Sequence, residues 1–362
     1  MNDSGNPFLN VVIVAPIPPP FGGMANQAFL LKKLLEKERV CVTIIPTNRS
    51  TETIERFVGN IPAIRTLLRE VVFLWRLISG CRPTAIIYIL GCSHLYYFFN
   101  VIPAVIIGKI LSNRVIVNYR GGEAEDFFHN FGKRFLWVLK QADFVTVPSA
   151  FLKKVFERFG VRSLVLPNII DLDLFQHRKP SQRRGDRFIC TRNFEPYYDV
   201  ETAVRAFKLA KEKIQGAKLT LIGDGSLRTA IEHIIKALSL EEDVTLLGKI
   251  DPAKIPAHLA QSDIFINPSR VDNYPNSILE AFAVGVPVVT TSAGGIPYLV
   301  QDQRDVLMVD PGDYQALAMN MVRLAGDREL CHRLSISGKE TADKHSWEKI
   351  WPQMKHIFWE LV

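Results

Sequence analysis

The stretch "VDNYPNSILEAFAVGVPVV", residues 271–289, decides how the chain is read. Within it "ILEAFAV" (278–284) is a short apolar helical run ended by Gly285. "VPVVTT" (286–291) then reads as a buried strand, with Pro287 near its start. A helix that opens on Pro-Asn-Ser and carries one glutamate among apolar neighbours has two readings. Ser277 and Glu280 have the spacing S-x-x-E of a capping box, in which the glutamate serves the helix itself. Alternatively, the helix N-terminus holds an anion and Glu280 takes the hydroxyls of a sugar ring.

Outward from this stretch the chain alternates strand and helix. Upstream, strands are predicted at 187–192, 218–223, 244–249 and 264–269, with helices at 199–213, 227–239 and 252–261. Downstream follow a strand at 305–310 and a helix at 313–327. The first half has the same rhythm. Strands are predicted at 11–16, 40–46, 85–90, 114–119, 144–149 and 163–167, and helices at 26–37, 64–79, 95–111, 131–142 and 150–160. Such alternation predicts α/β folding with a parallel, doubly wound sheet in each half and a cleft between two Rossmann-like domains. The polar stretch "PNIIDLDLFQHRKPSQRRGD" (167–186) reads as their connection.

At 362 residues, two domains are the natural expectation. An apolar content of 48% with 22% charged residues describes a globular chain. The five cysteines (41, 81, 92, 190 and 331) are scattered and contain no Cys-x-x-Cys, so neither a disulfide framework nor a zinc site is predicted, and a reducing cytoplasm fits. "MNDSGNPFLN" has neither the basic nor the apolar region of a signal peptide. Charge is uneven: residues 1–180 hold 22 Lys and Arg against 13 Asp and Glu, residues 181–362 hold 22 against 24. A basic first half suits an anionic partner, or ordinary solvation. "LYYFFNVIPAVIIGKIL" (95–111) is apolar but short of a membrane span and interrupted by Asn100, Pro103 and Lys109, so it is predicted as a buried helix between parallel strands.

Three stretches carry a resemblance: "LTLIGDGSLRTAIE" (219–232), "VTLLGKI" (244–250) and "SDIFINPSRVDNYPNSILEAFAVGVPVVTTSAGGIPYLV" (262–300). With "APIPPPFGGMANQ" (15–27), "YRGGEAEDF" (119–127), "LPNIIDLDLF" (166–175) and "HSWEKIWPQM" (345–354), the sequence resembles the retaining glycosyltransferases of family 4, the group 1 family with the two-domain GT-B fold. The resemblance implies an N-terminal acceptor-side domain over 1–170, a linker over 171–186, a nucleotide-sugar donor domain over 187–345, and a last helix, 346–362, returning to the first domain.

It also implies roles for particular residues. Gly22 and Gly23 follow the first strand and open a helix, where glycine admits a close ligand and the helix start favours phosphate; a plain β–α turn fits equally. "RGG" (120–122) stands where many relatives carry His-Gly. Arg120 stays protonated, so it cannot act as a base, but suits a diphosphate or departing oxyanion; a structural pairing with Glu123, Glu125 or Asp126 is the alternative. Arg192 falls where relatives bind the donor diphosphate, whereas their following lysine is replaced by Tyr197 and Tyr198. "GDG" (223–225) lacks the third glycine of a dinucleotide fingerprint, and the next strand ends in Gly248-Lys249 rather than an acid, which disfavours a nicotinamide cofactor. The resemblance sets Gly223, Gly248 and Lys249 around the nucleotide. Asp272 and Glu280 have the spacing acid-x7-acid, in relatives usually two glutamates on donor sugar and ribose, with the amides of Asn276, Ser277 and Ile278 aimed at diphosphate. "DLD" (171–173) imitates a metal motif in an unsuitable setting, and no metal or other cofactor is expected.

The implied activity is metal-independent hexosyl transfer, with retention, from a nucleoside diphosphate sugar to a hydroxyl acceptor. The acceptor is a saccharide, or a lipid-linked one reached at an anionic membrane surface on the cytoplasmic side. Helix 64–79, with Arg65, Arg69 and Arg76 among Phe73, Trp75 and Leu77, reads either as interfacial or as packed on the sheet. No nucleic-acid partner is expected. The alternatives are a non-catalytic nucleotide-sugar-binding partner of another transferase and a GT-B epimerase.

Overall fold

A computed structural model describes residues 9–18, 22–48, 62–81, 85–132, 134–175 and 184–361, with the side chains of 62–67 and 132 left aside. Segment 1–8, the end of the proline run at 19–21, the side chain of Arg65 and positions 176–183 of the expected linker lie outside the described residues. The chain forms two compact units, Met1–Ile169 with Ile350–Val362, and Ile170–Lys349.

In unit 1 six strands form one sheet: β1 (Asn10–Ala15), β2 (Cys41–Pro46), β3 (Ile86–Gly91), β4 (Arg114–Tyr119), β5 (Phe144–Val147) and β6 (Leu164–Val165). Their order is β2-β1-β3-β4-β5-β6, and every pair is parallel. Every residue of β3 is buried, which explains its unbroken apolar run: helices cover both faces of a parallel sheet. The segment 95–111 is a π-helical turn, Tyr97–Val101, leading into a helix at Ile102–Ile110. Gly108 lets that helix lie close on β3 and β4; a Cβ there would stand 2.8 Å from Ile87 Cδ1 and 2.9 Å from Val115 Cγ2. Among the described residues no helix is long and apolar enough to cross a membrane.

Unit 2 repeats the architecture with β7 (Arg187–Cys190), β8 (Lys218–Ile222), β9 (Val244–Gly248), β10 (Ile264–Asn267), β11 (Val288–Thr291) and β12 (Leu307–Val309). The order is β12-β11-β10-β7-β8-β9, again all parallel. Strand order reverses between β7 and β10, and ligands of open α/β sheets sit beyond the carboxyl ends at such a point. In unit 1 the reversal falls between β1 and β3.

Two elements differ from expectation. The predicted helix 131–142 is shorter, Leu136–Gln141, preceded by helical turns at Ala124–Phe127 and Phe128–Gly132. A 16-residue helix, Arg328–Asp343, was not predicted at all. It packs on helix Asn276–Val284: Ser335 Oγ donates to the Gly285 carbonyl at 2.5 Å, and a Cβ on Gly338 would stand 2.4 Å from the Phe282 ring.

Candidate active site

At the reversal point of unit 2 two chain segments leave the sheet side by side. The one following β7 brings Arg192; the one following β10 brings Asp272 and then helix Asn276–Val284. Arg192 is buried, with 8% of its surface exposed, so its charge needs a partner in the fold. Its Nη2 pairs with the Asp272 carboxylate, and its Nη1 donates to Ser277 Oγ at 3.1 Å. The guanidinium carbon lies 3.8 Å from the ring centroid of Tyr198. Burial works to lower the Arg192 pKa, but the Asp272 carboxylate, with smaller help from Tyr198, Cys190 and Glu280, more than reverses this and holds the cation charged. Asp272 is further fixed by the Ser269 hydroxyl at 3.3 Å and the Asn273 N–H at 2.9 Å. Its carboxylate is thus already engaged within the chain.

Helix Asn276–Val284 corrects the capping-box reading. Its N-cap is Pro275, and no side chain caps it. Ser277 stands one position inside the helix, with its hydroxyl accepting from Arg192. Glu280 has no hydrogen bond or ion pair among the described residues. Burial pushes its pKa up to about 7, against the opposing pull of Arg192. The helix start also differs in detail: the Ile278 amide is engaged by the Pro275 carbonyl at 3.2 Å, so of the three expected donors Ile278 is not open.

Glycines make the close approach of these loops possible. Gly223 has φ +149°, and a Cβ there would come 2.2 Å from the Arg192 carbonyl oxygen, so β8 ends pressed against the Arg192 segment. The Gly223 N–H donates to the Gly248 carbonyl at 3.0 Å, joining the ends of β8 and β9. Lys249 next to it is exposed. Gly294 and Gly295, which the sequence reading did not single out, support the Asp272 loop from beneath. The Gly295 N–H donates to the Asp272 carbonyl at 2.9 Å, and Cβ atoms at 294 and 295 would stand 2.2 and 2.1 Å from the carbonyl oxygens of Asp272 and Asn273. Tyr198 was also missed as a site residue; its signal was its place near where relatives carry a lysine.

In unit 1, Arg120 follows β4 directly, and its N–H donates to the Gly91 carbonyl at the end of β3 at 2.8 Å. Its guanidinium donates from Nη1 to Asn118 Oδ1 at 3.0 Å and from Nη2 to Gln27 Oε1 at 3.4 Å and to Asn168 Oδ1. The expected acidic partners are otherwise occupied or absent: Glu123 faces His94 at 3.2 Å, and Glu125 pairs with Arg158 at 2.6 Å. Gly22 caps helix Gly23–Lys37 in extended backbone, φ −164°, and a Cβ at either Gly22 or Gly23 would meet nothing within 4 Å. Among the described residues, packing does not demand glycine at these two positions. Among the described residues no group of three or more His, Cys, Asp or Glu could hold a metal.

Residues 185–327 match the family described as Glycosyl transferases group 1. Over 171 residues it is 31% identical to the N-acetyl-alpha-D-glucosaminyl L-malate synthase of Bacillus anthracis, covering 47% of this chain and 44% of that protein. Over 217 residues it is 27% identical to the GDP-mannose-dependent alpha-(1-6)-phosphatidylinositol monomannoside mannosyltransferase of Mycobacterium tuberculosis (strain ATCC 25618 / H37Rv), covering 55% and 56%. The matched part is thus about half the length of these relatives. The structure resembles that of Anabaena Alr3699/HepE in complex with UDP and glucose, with a TM-score of 0.74, 16% identity, and 96% and 99% of the two chains covered. It also resembles sucrose-phosphate synthase from Thermosynechococcus elongatus, with a TM-score of 0.75, 18% identity, and 98% and 99% covered. The fold is GT-B, with two parallel six-stranded sheets flanked by helices.

Proposed function

We propose that the protein transfers a sugar from a nucleoside diphosphate sugar to a hydroxyl acceptor, with retention at the anomeric carbon and without a metal. The observation that carries this reading is Glu280. It is a carboxyl without a hydrogen-bond or ion-pair partner among the described residues, at the strand-order reversal of a Rossmann-like sheet and beside a charge-balanced Arg192–Asp272 pair. An unoccupied carboxylate suits a ribose diol, which offers two hydroxyl donors. In this reading Arg192 and the amide of Ser277 face the diphosphate. Gly223, Gly248 and Lys249 border the nucleotide. Of the relatives named above, one is by title a GDP-mannose-dependent mannosyltransferase and another an N-acetyl-alpha-D-glucosaminyl L-malate synthase.

Asp272 is committed to Arg192, so it serves by fixing the cation's position rather than as a nucleophile. The departing diphosphate then takes the acceptor's proton on the same face of the sugar, and the chain contributes positioning and charge. A lipid-linked acceptor at the inner face of a membrane is part of this proposal. The outward stripe of Val71, Trp75 and Ile78 on helix Pro62–Gly80, exposed by 53, 67 and 56%, supports it. Phe73 and Leu77 of the same helix face the core instead.

The test is calorimetry and turnover against a panel of nucleoside diphosphate sugars. Arg192→Ala is expected to weaken nucleotide binding roughly 10- to 100-fold, the worth of about 1.5–3 kcal/mol for a charge-assisted bond. Turnover is expected to survive EDTA. Binding without any transfer would favour the non-catalytic reading, to which the missing second cation at Tyr197 and Tyr198 points. Unchanged nucleotide affinity in Arg192→Ala would remove Arg192 from the site.

A further inference from the structure

The two units each place one arginine just past a central strand, and the two are treated in opposite ways. Arg192 is neutralised by Asp272. Among the described residues Arg120 is held by neutral oxygens alone, those of Asn118, Gln27 and Asn168. The cradle is stiff. Asn118 Nδ2 donates to Thr146 Oγ1 at 2.9 Å, and Gln27 is locked to Ile169 by two bonds, donating to its carbonyl at 2.7 Å and accepting from its N–H at 3.2 Å. Three of the five guanidinium N–H groups are used. Nε–H and one N–H on Nη1 have no partner among the described residues.

Among the described residues no carboxylate touches this cation. Burial lowers its pKa to about 10, still well above neutrality, so it keeps its proton. A desolvated charge with no counter-ion is costly in a folded protein, and the cost is removed when an anion binds. Guanidinium donors match carboxylate and phosphate oxygens. The place fits a ligand as well, since the Arg120 N–H is bonded to the end of β3, at the carboxyl edge of the sheet.

We infer that unit 1 carries an oxyanion site centred on Arg120, and that it takes a carboxylate or phosphate ester borne by the acceptor. The word acceptor rests on the transferase reading above, in which the donor nucleotide is served by Glu280, Arg192 and Ser277 of unit 2. The oxyanion site itself rests only on Arg120 and its cradle. It makes this transferase selective for acidic acceptors.

The experiment is calorimetry at low ionic strength on the whole protein, with glucuronate, glycerol 3-phosphate, glucose and uridine diphosphate as probes. The protein as it stands is compared with Arg120→Gln and Arg120→Lys, each checked for unchanged melting. Glucuronate or glycerol 3-phosphate is expected to bind about 10- to 100-fold more tightly than glucose, as a charge-assisted contact implies. Arg120→Gln is expected to erase that preference and Arg120→Lys to restore part of it, while uridine diphosphate binds all three proteins alike. If Arg120→Gln weakens uridine diphosphate as much as it weakens the acids, the cation belongs to the donor diphosphate and the inference falls. It falls equally if glucose and the acids bind alike to the native protein. Binding of the acids with no binding of any nucleotide would instead sink the transferase reading and leave the oxyanion site standing. Should Arg120→Gln fail to fold, the loss of preference is read from Arg120→Lys, whose point charge cannot reproduce the guanidinium geometry.

Discussion

Glu280 shows how a single carboxyl can report on a ligand. Its raised pKa means that the folded protein without ligand binds the proton more tightly than the unfolded chain does. The stability this contributes is fully present below the ordinary carboxylate range and is lost as pH rises through about 7. A diol donating to the carboxylate favours the charged form, so nucleotide binding releases a proton near neutrality. Nucleoside diphosphate affinity is therefore expected to climb between pH 6 and pH 8 by more than phosphate ionisation alone provides. Glu280→Gln is expected to remove that excess and flatten the apo stability profile with little change in melting temperature near neutral pH. Calorimetry in two buffers of different ionisation enthalpy counts the proton. Equal proton release by the native protein and by Glu280→Gln would mean that Glu280 does not meet the nucleotide. The sequence already singled out Glu280 and Ser277 by their spacing at a helix start, and Arg192 and Asp272 through the resemblance to family 4 glycosyltransferases. It did not reveal that Arg192 and Asp272 are partners, since nothing local links positions 80 apart. It also suggested a cap, where the true N-cap is Pro275 and Ser277 serves an arginine.

At the scale of elements, the strands were legible and some helices were not. Strands buried on both faces must be runs of Val, Ile and Leu, and such runs stand out, as in "IIYIL" and "IFIN". Helix Arg328–Asp343 hid because part of its inward stripe is built from Ser335, Gly338, Thr341 and Ala342, which carry almost no hydrophobic signal. Small residues are needed there so that it can lie against Phe282 of the site helix. The π-helical turns at Tyr97–Val101 and Phe128–Gly132 escape any reading based on a 3.6-residue period. The glycine loop beneath Asp272 yields a prediction at this scale. At Gly294, with φ +52°, a Cβ would press on backbone that cannot yield. Gly294→Ala is expected to destabilise unit 2 by about 1–3 kcal/mol, and to weaken nucleotide binding by displacing Asp272 and with it Arg192. Gly326→Ala is the control: it closes a helix with nothing within 4 Å, and is expected to be neutral or slightly stabilising. Chemical denaturation of the two variants gives the comparison, and equal effects would show that the loop accommodates a side chain.

For the molecule as a whole, the division into units does not follow the chain. Unit 1 is completed by Ile350–Val362, which comes after all of unit 2. These residues are core, not trim. Ile350, Met354, Ile357 and Phe358 are buried, and the Phe358 ring meets Tyr88 of β3 edge-on at 6.2 Å. Arg114 Nε also donates to the Leu361 carbonyl at 3.2 Å. Phe358→Ala is therefore expected to cost about 3–5 kcal/mol. The loss should appear as an earlier transition in hydrogen exchange of the unit 1 strands, with those of unit 2 unmoved. Uniform loss across both sheets would mean that the units do not unfold separately.

This discontinuity sets an order of events at birth. A ribosome that has just finished Ile169 has delivered six strands whose covering helix does not yet exist, and must thread out the 180 residues of Ile170–Lys349 before supplying it. At roughly 5–20 residues per second that delay is on the order of 10–40 s. During it unit 2, whose sequence is continuous, can close, while the apolar edge that Phe358 will cover stays open to water or to a chaperone. The nascent chain thus matures back to front, with the later-made unit native first and the earlier-made one waiting for Ile350–Val362.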